Sequence, residues 1–261
     1  MLAATERSRS EAVFEEGVWQ TRHRKARAER QLARARRPRW RRLLALSSDD
    51  ERLALQAMDE AQFRIEEARL TQQQLERVVH QQEAGIRGEQ ALADGLAELS
   101  DDWTMLRGYR NGRGEADSVL VGPLGLWAVE VKNRNVRLNV DGDRLWCERL
   151  DRWGNVVGSD DATDRSGRTW ARQVTDVADD LARWLRRRDH EVPIRTAVMV
   201  LNQRATLGMV NNPPVDLVGT DSRHLLEAIQ RSPTVIGPTA RQTIVELIRR
   251  DHRHHHRRRR R

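Results

Sequence analysis

The 261 residues are 38% hydrophobic and 33% charged, which allows one domain with a proper core plus appendages that have little core of their own. A single cysteine, Cys147, excludes an intramolecular disulfide and a cysteine-cluster zinc site; no apolar run approaches the ~18 residues of a membrane span, and a cytoplasmic protein is expected. The net charge of +8 is uneven, with +8 on residues 1–42, +7 on 249–261 and −7 between them.

Residues 1–47 read as a basic, Arg-rich segment, with helical potential in RKARAERQLARARR and a break at Pro38. Ser48 and Glu51 make an S-x-x-E capping box that opens a long helix over 48–84. Its apolar positions (Leu55, Met58, Ile65, Leu75, Val78, Val79) recur imperfectly and do not sustain an a/d heptad. The expectation is an exposed or homodimerising helix rather than a strict coiled coil.

A folded domain is expected over 85–250. Leu92, Leu96 and Leu99 form a helical stripe after GIRGEQ, and Glu89 falls on that stripe. DWTMLRGYR, EADSVLV and GLWAVEVKN read as strands, and VRLNVDGDRLWCERLD as a further hairpin turning at Asp141-Gly142. Thr169 to Arg188 is an amphipathic helix, RTAVMVLN a buried strand and PVDLVGT a shorter one. Helices follow at Ser222–Gln230 and Thr239–Arg250. This order indicates an α+β domain, a mixed sheet flanked by helices. Trp103, Trp127, Trp146, Trp153, Trp170 and Trp184 are expected in the core. The low-complexity His/Arg tail, 251–261, is expected to be disordered.

The strand GLWAVEVKN holds the chemistry. Its alternation puts Glu130 and Lys132 on one face of an otherwise apolar strand. Lys132 is one of only two lysines among 47 basic residues, so it has escaped a strong bias toward arginine. If GPLG closes a hairpin with Val121 opposite Leu126, Asp117 lies opposite Glu130 and Glu115 opposite Lys132. Directly opposed like charges repel. Mg²⁺ or Mn²⁺, held by carboxylates with water and substrate phosphate, would compensate them.

GEADSVLVGPLGLWAVEVKN resembles the central motif of the nuclease-related domain (NERD) family, within the PD-(D/E)xK, restriction-endonuclease-like superfamily. The resemblance covers roughly residues 84–200. It implies an αβββαβ core, and it carries over Asp117, Glu130 and Lys132 as the Asp and Glu-x-Lys of an active site. GIRGEQ resembles the family's opening element and makes Glu89 a fourth member; Gln173 matches a glutamine on the helix after the sheet. SDDATDRSGRTW departs from the Asn-Pro-containing segment of the family. The implied activity is metal-dependent hydrolysis of phosphodiesters in nucleic acid, DNA foremost. Asp117, Glu130, the Val131 carbonyl and Glu89 would serve the metal, and Arg107, Arg110, Arg113, Arg134 and Arg137 the nucleic acid. Two other readings stand beside it: a binding module for nucleic acid or protein on an inherited nuclease fold, and a scaffold whose working element is the long helix.

Overall fold

The computed structural model describes residues 2–38, 47–164 and 166–258. The chain divides into two units between Glu83 and Ala84. In the first, α1 (Leu2–Ala35) runs antiparallel to the first part of α2 (Asp49–Gly95). Cross-links fix the pairing: Arg9 bonds Glu76 at 2.8 Å, and Glu16 accepts from Arg69 at 2.8 Å and from Gln72 at 3.0 Å. Ser48 Oγ accepts from the Glu51 N–H at 3.2 Å, one half of the capping box, while the Glu51 carboxylate bonds Arg37 instead.

A heptad is present after all. Ala54, Ala61 and Ala68 are buried seven residues apart, and Ile65 and Val79 are buried on the alternate position. The expectation that it lapses came from counting only large side chains. Alanine fills the seam, so the helices pack on small residues while Phe14 and Phe63 are left 73% and 65% exposed.

The second unit begins with the last turns of α2. Three antiparallel strands follow, β1 (Thr104–Arg110), β2 (Glu115–Gly122) and β3 (Gly125–Lys132). After an insertion come helix α3 (Trp170–Arg186) and β7 (Ile194–Val200), which pairs parallel to β3. The order αβββαβ is that of the expected core. Thr169 caps α3, its side chain accepting from the Arg172 N–H. β9 (Leu217–Gly219) completes a mixed five-stranded sheet of order β1-β2-β3-β7-β9, followed by α4 (Ser222–Gln230) and α5 (Pro238–Arg258).

Both faces of this sheet are covered. Val174, Val177 and Leu181 of α3, with Ile244 and Ile248 of α5, pack on Leu126, Ala128 and Val198. Leu92 of α2 and Leu96 just past its end, with Leu225 and Ile229 of α4, pack on Trp127, Val129, Val131 and Met199. Each such fully buried aliphatic side chain stabilises the fold by roughly 1.5–3 kcal/mol. β3 is therefore buried along its length, and only Lys132 at its end reaches partial exposure. No helix among the described residues is long and apolar enough to cross a membrane.

Three further expectations need correction. There are two sheets rather than one: β4 (Val136–Asp141) and β5 (Arg144–Leu150), the predicted hairpin, join β6 (Val156–Asp161) and β8 (Thr206–Asn211) in a sheet of order β6-β5-β4-β8. β6 and β8 are edge strands with nearly every side chain exposed, so they lack the alternation that would announce them. Trp153, expected in the core, is 71% exposed at the β5–β6 turn. The tail expected to be disordered is helical through Arg258. Its anchor is buried Asp251, whose carboxylate accepts from the Tyr109 hydroxyl at 2.6 Å, beside His252 Nδ1, which accepts from the Arg110 N–H at 3.2 Å.

Candidate active site

The β2–β3 hairpin has the predicted register, from Gly122 opposite Gly125 to Ser118 opposite Val129. There the ladder stops. The β1–β2 pairing likewise passes from Arg107–Ser118 to Tyr109–Ala116, skipping Gly108 and Asp117. Gly108 has φ 60°, a conformation that glycine adopts without a steric cost. Asp117 is thus released from both ladders, and its Oδ2 accepts from the Val131 N–H at 2.7 Å. A side-chain carboxylate replaces a strand carbonyl. Along β3 the peptide groups alternate, so the Val131 carbonyl points to the Asp117 side while the Lys132 carbonyl accepts from Leu201 N–H at 2.8 Å.

Glu130 is fully buried, its relative exposure 0%. Its Oε1 accepts from the Lys132 ammonium, and its Oε2 is buried with no hydrogen-bond partner. Lys132 Nζ also stands 5.8 Å over the ring of Trp170, the first residue of α3, and the Arg134 guanidinium lies 5.8 Å from the same ring. The expected opposition of Glu115 to Lys132 is not formed. Because the ladder ends at Ser118, Glu115 turns to Arg110, its partner on β1.

Glu89 arrives from the other side of β3. A Cβ on the preceding Gly88 would lie 3.1 Å from Val131 Cγ1 and 3.4 Å from Asn133 Cβ, so this turn of α2 sits directly against β3. Gly88→Val is expected to lose roughly 1–3 kcal/mol of stability by overpacking and to displace Glu89. Thermal unfolding and a cleavage assay check both, and an unshifted melting temperature would contradict the close approach.

The electrostatics join these groups. Burial raises Glu89, and the charge of Asp117 raises it further, against Arg107. Burial raises Asp117, opposed by Lys132 and the Val131 N–H. Glu130 is pushed up to about 8 by burial and then by Asp117, against Lys132. All three carboxyls therefore resist ionisation, chiefly because they are buried, and Glu89 and Glu130 further because of the charge of Asp117.

Of the remaining expected residues, Gln173 donates to the Glu115 carbonyl at 3.2 Å and so ties α3 to the start of β2. Arg107 acts on Glu89, and Arg134 flanks Trp170. The side chains of two of the other three are engaged elsewhere, and the third, Arg113, is held through its backbone. Arg110 bonds Glu115, the Arg113 carbonyl accepts from Arg168 at 3.0 Å, and Arg137 pairs with Glu148 at 3.3 Å on the smaller sheet.

Two residues escaped the sequence reading. Trp170, expected only in the core, is the ring beneath both cations. Asp164 adds negative charge to the surroundings of Glu130. Burial works to raise Asp164, but hydrogen bonds from Ser166 and Arg168 hold it at about 2. An Asp followed at two and four residues by Ser166 and Arg168, just ahead of a helix cap, is the turn signal that could have found it.

Among the described residues, no three His, Cys, Asp or Glu side chains converge closely enough to hold a metal ion. A hard divalent cation does not need three. One or two carboxylates with water and substrate phosphate suffice for Mg²⁺, and the donors here suit it: Asp117, the Val131 carbonyl and the unpartnered Oε2 of Glu130.

Residues 84–201 match the family model of the nuclease-related domain, NERD. Over these residues the chain is similar to the nuclease-related domain. The match begins at Ala84, where the second unit begins, and ends just past β7. It therefore takes in the whole αβββαβ order and the four acidic and basic residues above. No curated protein and no solved structure matches the chain.

Proposed function

We propose that the NERD-like domain is a cytoplasmic nuclease that uses Mg²⁺ or Mn²⁺ to hydrolyse phosphodiester bonds in DNA. The observation that carries this reading is the convergence at the end of β3 of Asp117, which accepts from the Val131 N–H, and Glu130, which accepts from Lys132 through one oxygen while the other is buried and unpartnered. Asp117, Glu130 and the Val131 carbonyl would hold the cation, which supplies Lewis acidity to the phosphoryl group when bound. Lys132 orients the attacking water and offsets charge developing on the phosphoryl oxygens. Glu89, a stronger base than an ordinary carboxylate because burial raises it, accepts the proton of that water. Trp170 confines the Lys132 ammonium, and Gln173 fixes the end of β2 that carries Asp117.

A second reading is a module that binds nucleic acid or protein without cutting. It is favoured by the charge of residues 85–248, where 22 basic residues face 24 acidic ones. Incubation with single- and double-stranded DNA and RNA, with Mg²⁺ and with chelator, separates the two. Cleavage that the chelator abolishes supports the nuclease; binding without cleavage in every condition leaves the second reading standing.

The Ala-seamed hairpin is also read as a homodimer element, since it leaves Phe14, Phe63 and Leu70 in water. Sedimentation of the full chain is expected to give a dimer that reverts to monomer in Phe63→Glu/Leu70→Glu. A monomeric wild-type chain would end this reading.

A further inference from the structure

β1 is an edge strand of the five-stranded sheet, and α5 lies along it. Between them opens a cavity of about 470 Å³, within the range of small-ligand sites. Its floor is apolar, made by Met105, Leu106, Tyr109 and Ile248. Its rim carries Arg107, Arg249 and Arg253, all exposed, and no acidic side chain lines it. Arg249 and Arg253 are four residues apart and so share a face of α5. The sole acid of α5 beyond Leu247 is Asp251, which is buried and turned to the Tyr109 hydroxyl. Among the described residues, none of the three rim arginines forms an ion pair. The cavity also abuts the carboxylate cluster, because Arg107 is the cation that acts on Glu89 and pairs with Ser118, the neighbour of Asp117.

An apolar floor under three unpaired guanidinium groups calls for a ligand that is flat and apolar on one side and anionic on the other. We propose that this cavity seats one unpaired nucleotide of the substrate strand, its base on the Met105–Ile248 floor and its flanking phosphates on Arg107, Arg249 and Arg253. The inference rests on the nuclease reading and sharpens it. A base can reach that floor only when it is not paired, so single-stranded or frayed DNA is the favoured substrate. It also gives the helical end of α5 a role, since two of the three arginines come from it.

The test uses the full chain carrying Lys132→Ala, so that substrate is not consumed, and a fluorescein-labelled 12-nucleotide DNA read by anisotropy in Mg²⁺. Arg249→Gln/Arg253→Gln is expected to weaken binding of the single strand by about tenfold or more and to lower the salt dependence by about two counterions. Arg152→Gln/Arg187→Gln removes the same charge at the β5–β6 turn and the end of α3, away from the cavity, and is expected to change binding less than about threefold. The single strand is expected to bind more tightly than a blunt duplex, and dAMP to compete better than ribose 5-phosphate. Equal weakening by the two double variants, or no weakening by either, overturns the cavity. Competition by poly-glutamate as strong as by DNA also overturns it and points to an acidic protein partner. The same Arg249/Arg253 variant is then made in the chain with Lys132 intact. Cleavage by the parent with binding indifferent to Arg249 and Arg253 removes the cavity alone. No cleavage, with binding that depends on them, removes the nuclease reading and keeps the cavity. All four substituted arginines are exposed, and a circular dichroism melt confirms that each variant folds.

Discussion

Glu130→Gln is expected to make the metal-free protein more stable at pH 8, by roughly 2–4 kcal/mol, and to change it little near pH 4.5. The sign follows from the direction of the shift. The Glu130 carboxyl is pushed up from 4.5 to about 8, so the folded state holds its proton more tightly than the unfolded state does. The stability that this proton contributes is complete below pH 4.5 and is lost as pH rises through 8. Glutamine cannot ionise, yet its amide oxygen still accepts from Lys132, so the variant escapes most of that loss. Some slope remains, because Asp117 and Glu89 are raised as well. Mg²⁺ is expected to reverse the ranking, stabilising the wild-type chain at pH 8 while leaving the variant almost unmoved. Urea or thermal unfolding from pH 4.5 to 8, with Mg²⁺ and with chelator, reads all of this. A pH profile no steeper in wild type than in Glu130→Gln would mean that Glu130 is ordinary in the fold and not strained toward a cation.

The site could be read from the sequence because its signals are local. A two-residue turn between Gly122 and Gly125 sets the β2–β3 register, and alternation then fixes which face Glu130 and Lys132 share. The partner of Lys132 could not be read that way. Counting pairs assumes an unbroken ladder, whereas Gly108 and Asp117 interrupt two ladders at one level and leave Glu115 to Arg110. Trp170 and Asp164 were hidden for a related reason. They come to β3 through the β4–β6 insertion and the loop before α3, a route of more than thirty residues along the chain. The alanine seam of the first unit was hidden by side-chain size, since Ala54, Ala61 and Ala68 carry little hydrophobicity individually and matter by letting two helices approach. The end of α5 was hidden by composition. HRHHHRR has no apolar face of its own, and Asp251 and His252 dock it on β1 by hydrogen bonds that only the folded sheet supplies.

Lys132→Ala and Asp117→Asn are each expected to lower Mg²⁺-dependent cleavage by about 10³-fold, the scale on which loss of one positioned charge slows an electrostatically stabilised reaction. Their effects on folding should differ. Asparagine keeps an oxygen for the Val131 N–H and removes a charge that burial disfavours, so Asp117→Asn is expected to fold at least as stably as wild type. Lys132→Ala removes the cation that opposes the raising of Glu130, which then holds its proton to still higher pH. Lys132→Arg discriminates between a requirement for charge and a requirement for lysine. A guanidinium keeps the charge, but its planar fork differs in shape from the compact ammonium now held between Glu130 and the Trp170 ring. It is expected to restore folding behaviour but less than about a tenth of the activity, the order of loss that misplacing a reacting group by an ångström can cause. Single-turnover cleavage at pH 7.5, read beside the melting temperature of each variant, separates catalysis from stability. Activity within about tenfold of wild type in both Lys132→Ala and Asp117→Asn, or activity that persists in chelator, would remove these residues from the chemistry.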